Sequence, residues 1–153
     1  MQVRRATEDD AAGACAVIRA SIRELCTLDH GGDEGYIASW LSNKTLENVR
    51  RWIAQSHFFV VEEDGAVVGV GAMTDDGKIT LNYVAPAARL RGVSTALLQR
   101  LEETAGAMGL ETCRLESTRT ALRFYEARGY AKVPETYILP LTGTTAVVLA
   151  KRL

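Results

Sequence analysis

Two arginines and a glycine stand between a strand-like run and a helix-like run near the middle of the chain. Residues 79–84 read as a strand, and a helical pattern begins at Val93, directly after Arg89, Arg91 and Gly92. The first amides of a helix lack intrahelical acceptors, and the helix dipole adds partial positive charge there. A glycine at this point lets an anion approach the backbone. The segment therefore predicts a phosphate-binding turn, with a solvated basic turn as the alternative from these residues alone.

A second group of side chains lies between residues 118 and 130. Phe124 and Tyr125 fall in a short amphipathic helical pattern, and Gly129 is typical of its C-terminal end. Phe124 is interpreted as a core aromatic. Thr118 precedes the helix, where its hydroxyl either caps the first turn or donates a hydrogen bond to a ligand.

Both segments resemble motifs of the GNAT superfamily of N-acetyltransferases. The run R-x-x-G-x-S at residues 89–94 is similar to the family's [Q/R]-x-x-G-x-[G/A], with Ser94 where Gly or Ala is usual. The run A-x-x-F-Y-x-x-x-G-Y at residues 121–130 is similar to the second motif, with Thr118 where an Asn often stands. Two motifs in this order are more specific than either alone, and the resemblance implies an acetyl-CoA-dependent enzyme.

The resemblance implies a role for each segment. The turn holds the pyrophosphate of acetyl-CoA, and the preceding strand splays from its neighbour so that its backbone pairs with the pantetheine arm. An amide near Val84 donates to the oxyanion. Tyr125 serves as general acid, because a phenol with an ordinary pKa of about 10 protonates or hydrogen-bonds the departing thiolate. The residues implied in coenzyme binding are Asn82, Tyr83, Val84, Arg89, Leu90, Arg91, Gly92, Val93, Ser94, Thr95 and Thr118.

The sequence leaves the acceptor and any general base open. The family has no fixed base, and the candidate carboxylates, none of them preferred, are Glu62, Glu63, Glu116 and Asp29. Residues 25–36 are polar and rich in glycine, so we expect a mobile loop that selects the acceptor. His30 in this loop either binds substrate or is simply exposed to solvent.

Several functions remain compatible with the resemblance. The first is transfer of an acetyl group, by direct attack, to a primary amine of a small molecule or a protein. The alternative is a catalytically silent acyl-CoA-binding regulatory module, because Ser94 and Thr118 depart from the motifs. Transfer of an acyl group other than acetyl is a further alternative, since the choice of acyl group depends on pocket depth. Acetylation of aminoacyl-tRNA is disfavoured by the near-neutral charge of the chain.

Length and composition favour a single domain over residues 1–153. The formal net charge of −1 argues against a nucleic-acid partner. The three cysteines, Cys15, Cys26 and Cys113, have no C-x-x-C spacing, and the only histidines are His30 and His57. We therefore expect buried thiols, with neither a disulfide framework nor a metal site.

The first residues and the hydropathy pattern indicate the cellular location of the protein. The chain begins MQVRRATEDDAA, with acidic residues where a secretion signal would be apolar. No apolar run is long enough to cross a bilayer. We expect a cytoplasmic protein with no membrane partner.

The predicted fold is α/β (α+β), in the order β-α-α-β-β-β-α-β-α-β-β, which resembles the GNAT fold. A mixed central sheet of six to seven strands is flanked by about four helices. Asp64-Gly65 predicts a hairpin turn. The closing strands are expected at residues 130–133 and 146–151, joined by a loop with Pro134, Pro140 and Gly143. The resemblance also allows a homodimer through the last of these strands, if it forms an exposed edge.

Overall fold

The structure, a computed structural model, describes residues 1–138 and 145–153 of the chain. Within these ranges the strands are β1 (Gln2–Arg5), β2 (His57–Glu63), β3 (Ala66–Met73), β4 (Lys78–Val84), β5 (Thr112–Ser117), β6 (Ala131–Ile138) and β7 (Thr145–Arg152). The helices are α1 (Ala11–Leu25), α2 (Thr27–His30), α3 (Glu34–Leu41), α4 (Leu46–Gln55), α5 (Val93–Ala107) and α6 (Leu122–Glu126).

In the described part of the chain, all the strands join one mixed sheet in the spatial order β1-β2-β3-β4-β5-β7-β6. β4 and β5 are parallel, and every other neighbouring pair is antiparallel. Helices α1, α3 and α4 cover one face, where Ile18, Leu41 and Val49 are buried. Helices α5 and α6 cover the other face, where Leu97 and Tyr125 are buried. This is the predicted α/β architecture, with more short helices before β2 than the sequence indicated.

The predicted hairpin turn is confirmed, and two helix starts carry caps formed by side chains close in sequence. Asp64 and Gly65 have φ of 51° and 78°, so both residues of the β2–β3 turn adopt the left-handed geometry of a two-residue hairpin. The Thr7 N–H donates to Asp10 Oδ2 at 2.8 Å ahead of α1. The Thr45 side chain caps α4. Each signal depends on residues at most three positions apart, which is why the sequence suffices for them.

The expectation of a loop over residues 25–36 is wrong. This segment forms α2 and the start of α3. His30 is buried, not exposed, with Nε2 2.9 Å from the Ile22 carbonyl oxygen and Nδ1 accepting from the Gly32 N–H. Both ring nitrogens are satisfied within the protein, so His30 fixes α2 against α1 and has a structural role.

The closing strands also differ from the prediction. β7 pairs with β5 on one side and with β6 on the other, so it is not the exposed edge considered for a homodimer. Pro134 lies within β6, not in a loop; β6 tolerates a proline because it is the outermost strand and its pairing with β7 is irregular between Lys132 and Thr136. Pro140 and Gly143 lie outside the described residues.

Glycines on β3 let α5 lie close to the sheet. A Cβ on Gly69 would stand 2.4 Å from Cγ1 of Val93, the first residue of α5. A Cβ on Gly71 would stand 3.2 Å from Cδ2 of Leu97 on the same helix. The absence of side chains at Gly69 and Gly71 therefore lets the start of α5 lie close to β3.

We expect Gly69→Ala to lower the free energy of unfolding by about 2 kcal/mol, because the added methyl group overlaps Val93 and the packed helix must shift. Urea denaturation measures the change. Gly106→Ala is the matched control, since a Cβ there meets no described atom within 4 Å and alanine favours the helix. The free energy of unfolding of the control should stay the same or rise. An equal decrease in both variants would contradict the packing argument.

Candidate coenzyme cleft

β4 and β5 separate after a short stretch of pairing. Their aligned pairs are Lys78 with Arg114 and Ile79 with Leu115. β4 continues to Val84 while paired with β3 alone among the described strands. Beyond Ile79, the open side of β4 therefore borders a cavity of about 450 Å³. An unpaired strand edge beside a cavity can pair with an extended ligand.

The cavity brings the two sequence motifs together. Every predicted site residue except Arg91 lies on its wall. They come from β4, from the turn before α5 with its first helical residues, and from the segment around α6. The residues are Asn82, Tyr83, Val84, Arg89, Leu90, Gly92, Val93, Ser94, Thr95, Thr118 and Tyr125.

The start of α5 is open towards the cavity. Gly92 is the N-cap residue with φ of 84°, and no described side chain caps the helix. The first intrahelical bond runs from the Ala96 N–H to the Gly92 carbonyl, so the amides of Val93, Ser94 and Thr95 precede it. These amides and the helix dipole together form a place where an anion is stabilised.

Leu90 holds an unusual backbone conformation in the same turn. Its φ is 61°, and its side chain is 95 % exposed. A left-handed conformation costs a non-glycine residue about 1 kcal/mol or more. The exposed side chain gains little from packing in return for this cost.

The cations at this turn differ from those that the sequence indicated. Arg89 lies on the cavity wall, whereas the Arg91 side chain is absent from the described wall and pairs with Glu63. Arg128, which sequence reasoning missed, does line the cavity. Its guanidinium donates to Thr95 Oγ1 from Nε at 3.2 Å and from Nη2 at 2.9 Å. In the sequence, Arg128 occupies only a variable position of the second motif, directly before Gly129.

Tyr125 is buried at the side of the cavity. Its ring packs edge-on against Phe124 and Tyr130, with centroid distances of 5.1 Å and 5.7 Å. Burial raises the pKa of Tyr125 to about 12, and the nearby amide of Asn82 opposes this shift. The phenol is therefore protonated at neutral pH and can donate a hydrogen bond. Phe124 packs in the core as predicted but also lines the cavity.

Two further polar side chains face the cleft. The Thr118 Oγ1 accepts from the Ala121 N–H at 3.1 Å, so it stabilises the turn before α6, whereas the N-cap residue of α6 is Ala121 and has no side-chain cap. Asn82 has its side-chain Nδ2 and Oδ1 buried, and neither atom has a hydrogen-bond partner among the described residues. Tyr83 packs with Trp40 in the core between the sheet and α1, and burial raises the pKa of its phenol.

Each carboxylate that the sequence offered as a base has a partner. The Glu62 side chain pairs with Arg4 at 2.8 Å, Glu63 pairs with Arg91, and Glu116 pairs with Lys78 at 2.6 Å. Asp29 accepts from the backbone N–H groups of Arg119 and Thr120 at 2.8 Å and 3.1 Å. It therefore joins α2 to the segment that leads into α6.

The described ranges contain neither a group of three or more His, Cys, Asp or Glu residues arranged for a metal ion nor a helix long and apolar enough to cross a membrane. Cys26 lines the cavity, and burial raises its pKa to about 12. Its sulfur is therefore a neutral thiol at neutral pH.

Comparisons with solved structures identify the same fold. A GCN5-related N-acetyltransferase from Rhodopseudomonas palustris superposes with a TM-score of 0.90 at 24% identity, over 99% of this chain and 95% of that one. The PaiA N-acetyltransferase from Thermoplasma acidophilum, solved with coenzyme A, superposes with a TM-score of 0.78 at 17% identity, over 99% of this chain and 98% of that one. At these identities the likeness concerns the fold alone.

Sequence comparisons extend the likeness to the family. An amino-acid acetyltransferase from Azotobacter vinelandii is 32% identical over 134 residues, which is 84% of this chain and 27% of that protein. The chain thus spans about a quarter of the length of that relative. The model of the acetyltransferase (GNAT) domain matches residues 27–138, a segment that includes β4, the turn before α5, and Tyr125. The chain therefore belongs to the GNAT acetyltransferase family.

Proposed function

We propose that this chain is an acetyl-CoA-dependent N-acetyltransferase that moves an acetyl group to a primary amine of a small molecule or a protein. The observation that carries the proposal is the cavity between β4 and β5, which joins an uncapped helix start to a buried phenol. The family match and the coenzyme A in a structure of the same fold support it.

The residues on the cavity wall suit the parts of the coenzyme. The amides of Val93, Ser94 and Thr95, with Arg89 beside them, would hold the pyrophosphate. The open edge of β4 from Asn82 to Val84 would pair with the pantetheine arm.

Acetyl-CoA, when bound, supplies an activated acyl group as a thioester. An amide near Val84 would donate to the thioester carbonyl oxygen. Tyr125 would donate its phenolic hydrogen towards the sulfur. Direct attack by the amine is favoured over an acyl-cysteine route, because the raised pKa of Cys26 keeps that thiol neutral.

The acceptor amine must lose a proton, and no fixed carboxylate base is proposed. Glu116 is the one carboxylate on the described cavity wall, and it already pairs with Lys78. We therefore assign the departing proton to water in the open cleft. Because one relative is named an amino-acid acetyltransferase, acceptor screens should begin with α-amino acids and continue with lysine-containing peptides.

Thermal unfolding with acetyl-CoA tests the coenzyme site before any acceptor is known. At a ligand concentration about a hundredfold above Kd, binding to the native state adds about 2.7 kcal/mol of stability. For a domain of this size the midpoint should rise by about 5–10 °C. Free CoA should act similarly and ATP should not. The absence of a shift with both coenzyme forms would contradict the proposal.

The alternative is a silent acyl-CoA-binding module, and it shares the coenzyme site. It would show the same thermal shift but release no CoA thiol with any amine. Loss of turnover in a Tyr125 variant that still binds CoA separates the enzyme from the module, as argued in the Discussion.

A further inference from the structure

Arg128 is a partly buried cation whose described partners are all neutral. Besides the two bonds to Thr95 Oγ1, its Nη1 donates to the Phe124 carbonyl at 2.9 Å. Its Cζ lies 3.8 Å from the centroid of the Phe124 ring. No carboxylate in the described ranges pairs with it, in contrast to Arg4, Arg91 and Arg114.

The guanidinium of Arg128, which lines the cavity, retains N–H donors without a described partner. An arginine has about five N–H donors, and three of those in Arg128 are engaged by the contacts above. Two N–H groups, one on Nη1 and one on Nη2, therefore remain. Stacking on Phe124 and the double contact with Thr95 hold the group in place, so little side-chain entropy is lost when it binds a ligand.

Positive charge accumulates at this end of the cavity. Arg128 and Arg89 both lie on the wall next to the start of α5, whereas the Glu116 carboxylate on the wall is neutralised by Lys78. Arg128 is partly buried and Arg89 is exposed, and a partly buried cation without a counterion raises the free energy of the protein until an anion binds. A phosphoryl group suits a guanidinium particularly well, because its oxygens match the planar donors.

We infer that Arg128 is a phosphate-binding residue of the coenzyme site, which contacts a phosphoryl oxygen while it ties Thr95 to the segment that carries Tyr125. The inference rests on the proposed coenzyme cleft and adds a residue that occupies a variable position of the second motif. The phosphate is either in the pyrophosphate or at the 3′ position of the ribose, and ligands that lack one or the other distinguish the two.

Calorimetric titration of the whole chain with CoA, dephospho-CoA and pantetheine tests the inference. We expect Arg128→Gln to weaken CoA binding about tenfold, as loss of a charge-assisted hydrogen bond implies, with partial recovery in Arg128→Lys. Dephospho-CoA should lose the same factor if the pyrophosphate is the partner, and nothing if the 3′-phosphate is. Pantetheine, which has no phosphate, should bind both forms equally.

Arg123→Gln is the matched control, since Arg123 lies on α6, the helix that precedes Arg128, but is exposed and absent from the described cavity wall. It should leave CoA affinity unchanged. The salt dependence of CoA binding should also become shallower in Arg128→Gln alone. A merely structural role would not change that slope.

Thr95→Val separates the ligand contact from the bond within the protein. If Arg128 acts only by holding Thr95, the two single variants and the double variant should weaken CoA binding equally. We expect an additional loss in the double variant relative to Thr95→Val. Unchanged CoA affinity in Arg128→Gln, or an equal loss for pantetheine, would overturn the inference. A wild-type chain that binds none of the three ligands would instead overturn the proposed function.

Discussion

Tyr125→Phe is expected to lower kcat about a hundredfold while the Kd for CoA stays unchanged. The variant keeps the ring and therefore its edge contacts with Phe124 and Tyr130. Only the hydrogen-bond donor is removed, and it acts when the sulfur gains negative charge. Thiol release with the best amine from the acceptor screen gives kcat, and calorimetric titration gives Kd.

The pKa of the phenol indicates how Tyr125 acts on the departing sulfur. Burial raises the pKa of Tyr125 to about 12, whereas an ordinary thiol has a pKa of about 8.5. Full proton transfer to the thiolate is therefore uphill, and we expect Tyr125 to act mainly by hydrogen-bonding the sulfur. The raised pKa also keeps the phenol protonated beyond the ordinary range, so deprotonation of Tyr125 should cause no loss of kcat up to about pH 10.

Tyr130→Phe is the matched control for the Tyr125 variant. The Tyr130 hydroxyl donates to Glu102 Oε2 at 2.9 Å, and its ring packs against that of Tyr125. Tyr130 is absent from the described cavity wall, so its variant should lose some stability but keep its turnover. Similar kcat values in the wild type and in Tyr125→Phe would contradict the role given to Tyr125, whereas a wild type that releases no thiol with any amine would favour the silent module.

Local sequence signals account for most of the fold. The Asp64-Gly65 turn, the Thr45 cap and the glycine before α5 each specify backbone geometry within a few residues. The order of strands and helices from β2 to α6 follows from such signals. The predicted splay of β4 came from the resemblance, and the register with β5 agrees with it.

The structure differs from the sequence-based predictions where contacts between residues far apart in the chain determine the local arrangement. Arg91 pairs with Glu63, 28 positions away, and Arg128 binds Thr95, 33 positions away. A short motif cannot predict either contact. The Gly31-Gly32 pair suggested an open loop, yet the buried His30 fixes α2 through a contact with Ile22. Likewise, hydropathy alone could not show that β7 inserts between β5 and β6, because pairing partners depend on the whole sheet.

Gly92→Glu is expected to abolish CoA binding, with at least a hundredfold loss of affinity and no thermal shift with acetyl-CoA. Gly92 is the N-cap of α5 and lies on the cavity wall. A glutamate there would bring its carboxylate to the uncapped amides and to Arg89. It would therefore compete for the anion site and repel the phosphates.

The apo protein should fold despite this change, so that binding and stability can be separated. The φ of 84° costs a side chain about 1 kcal/mol, but a Cβ meets no described atom within 4 Å. A carboxylate at the helix start recovers about 0.3–1 kcal/mol of that cost. Gly92→Ala measures the backbone strain alone, and Gly92→Gln adds the bulk without the charge. Affinity should fall in the order Ala, Gln, Glu; equal CoA affinities in the wild type and Gly92→Glu would place the phosphates elsewhere.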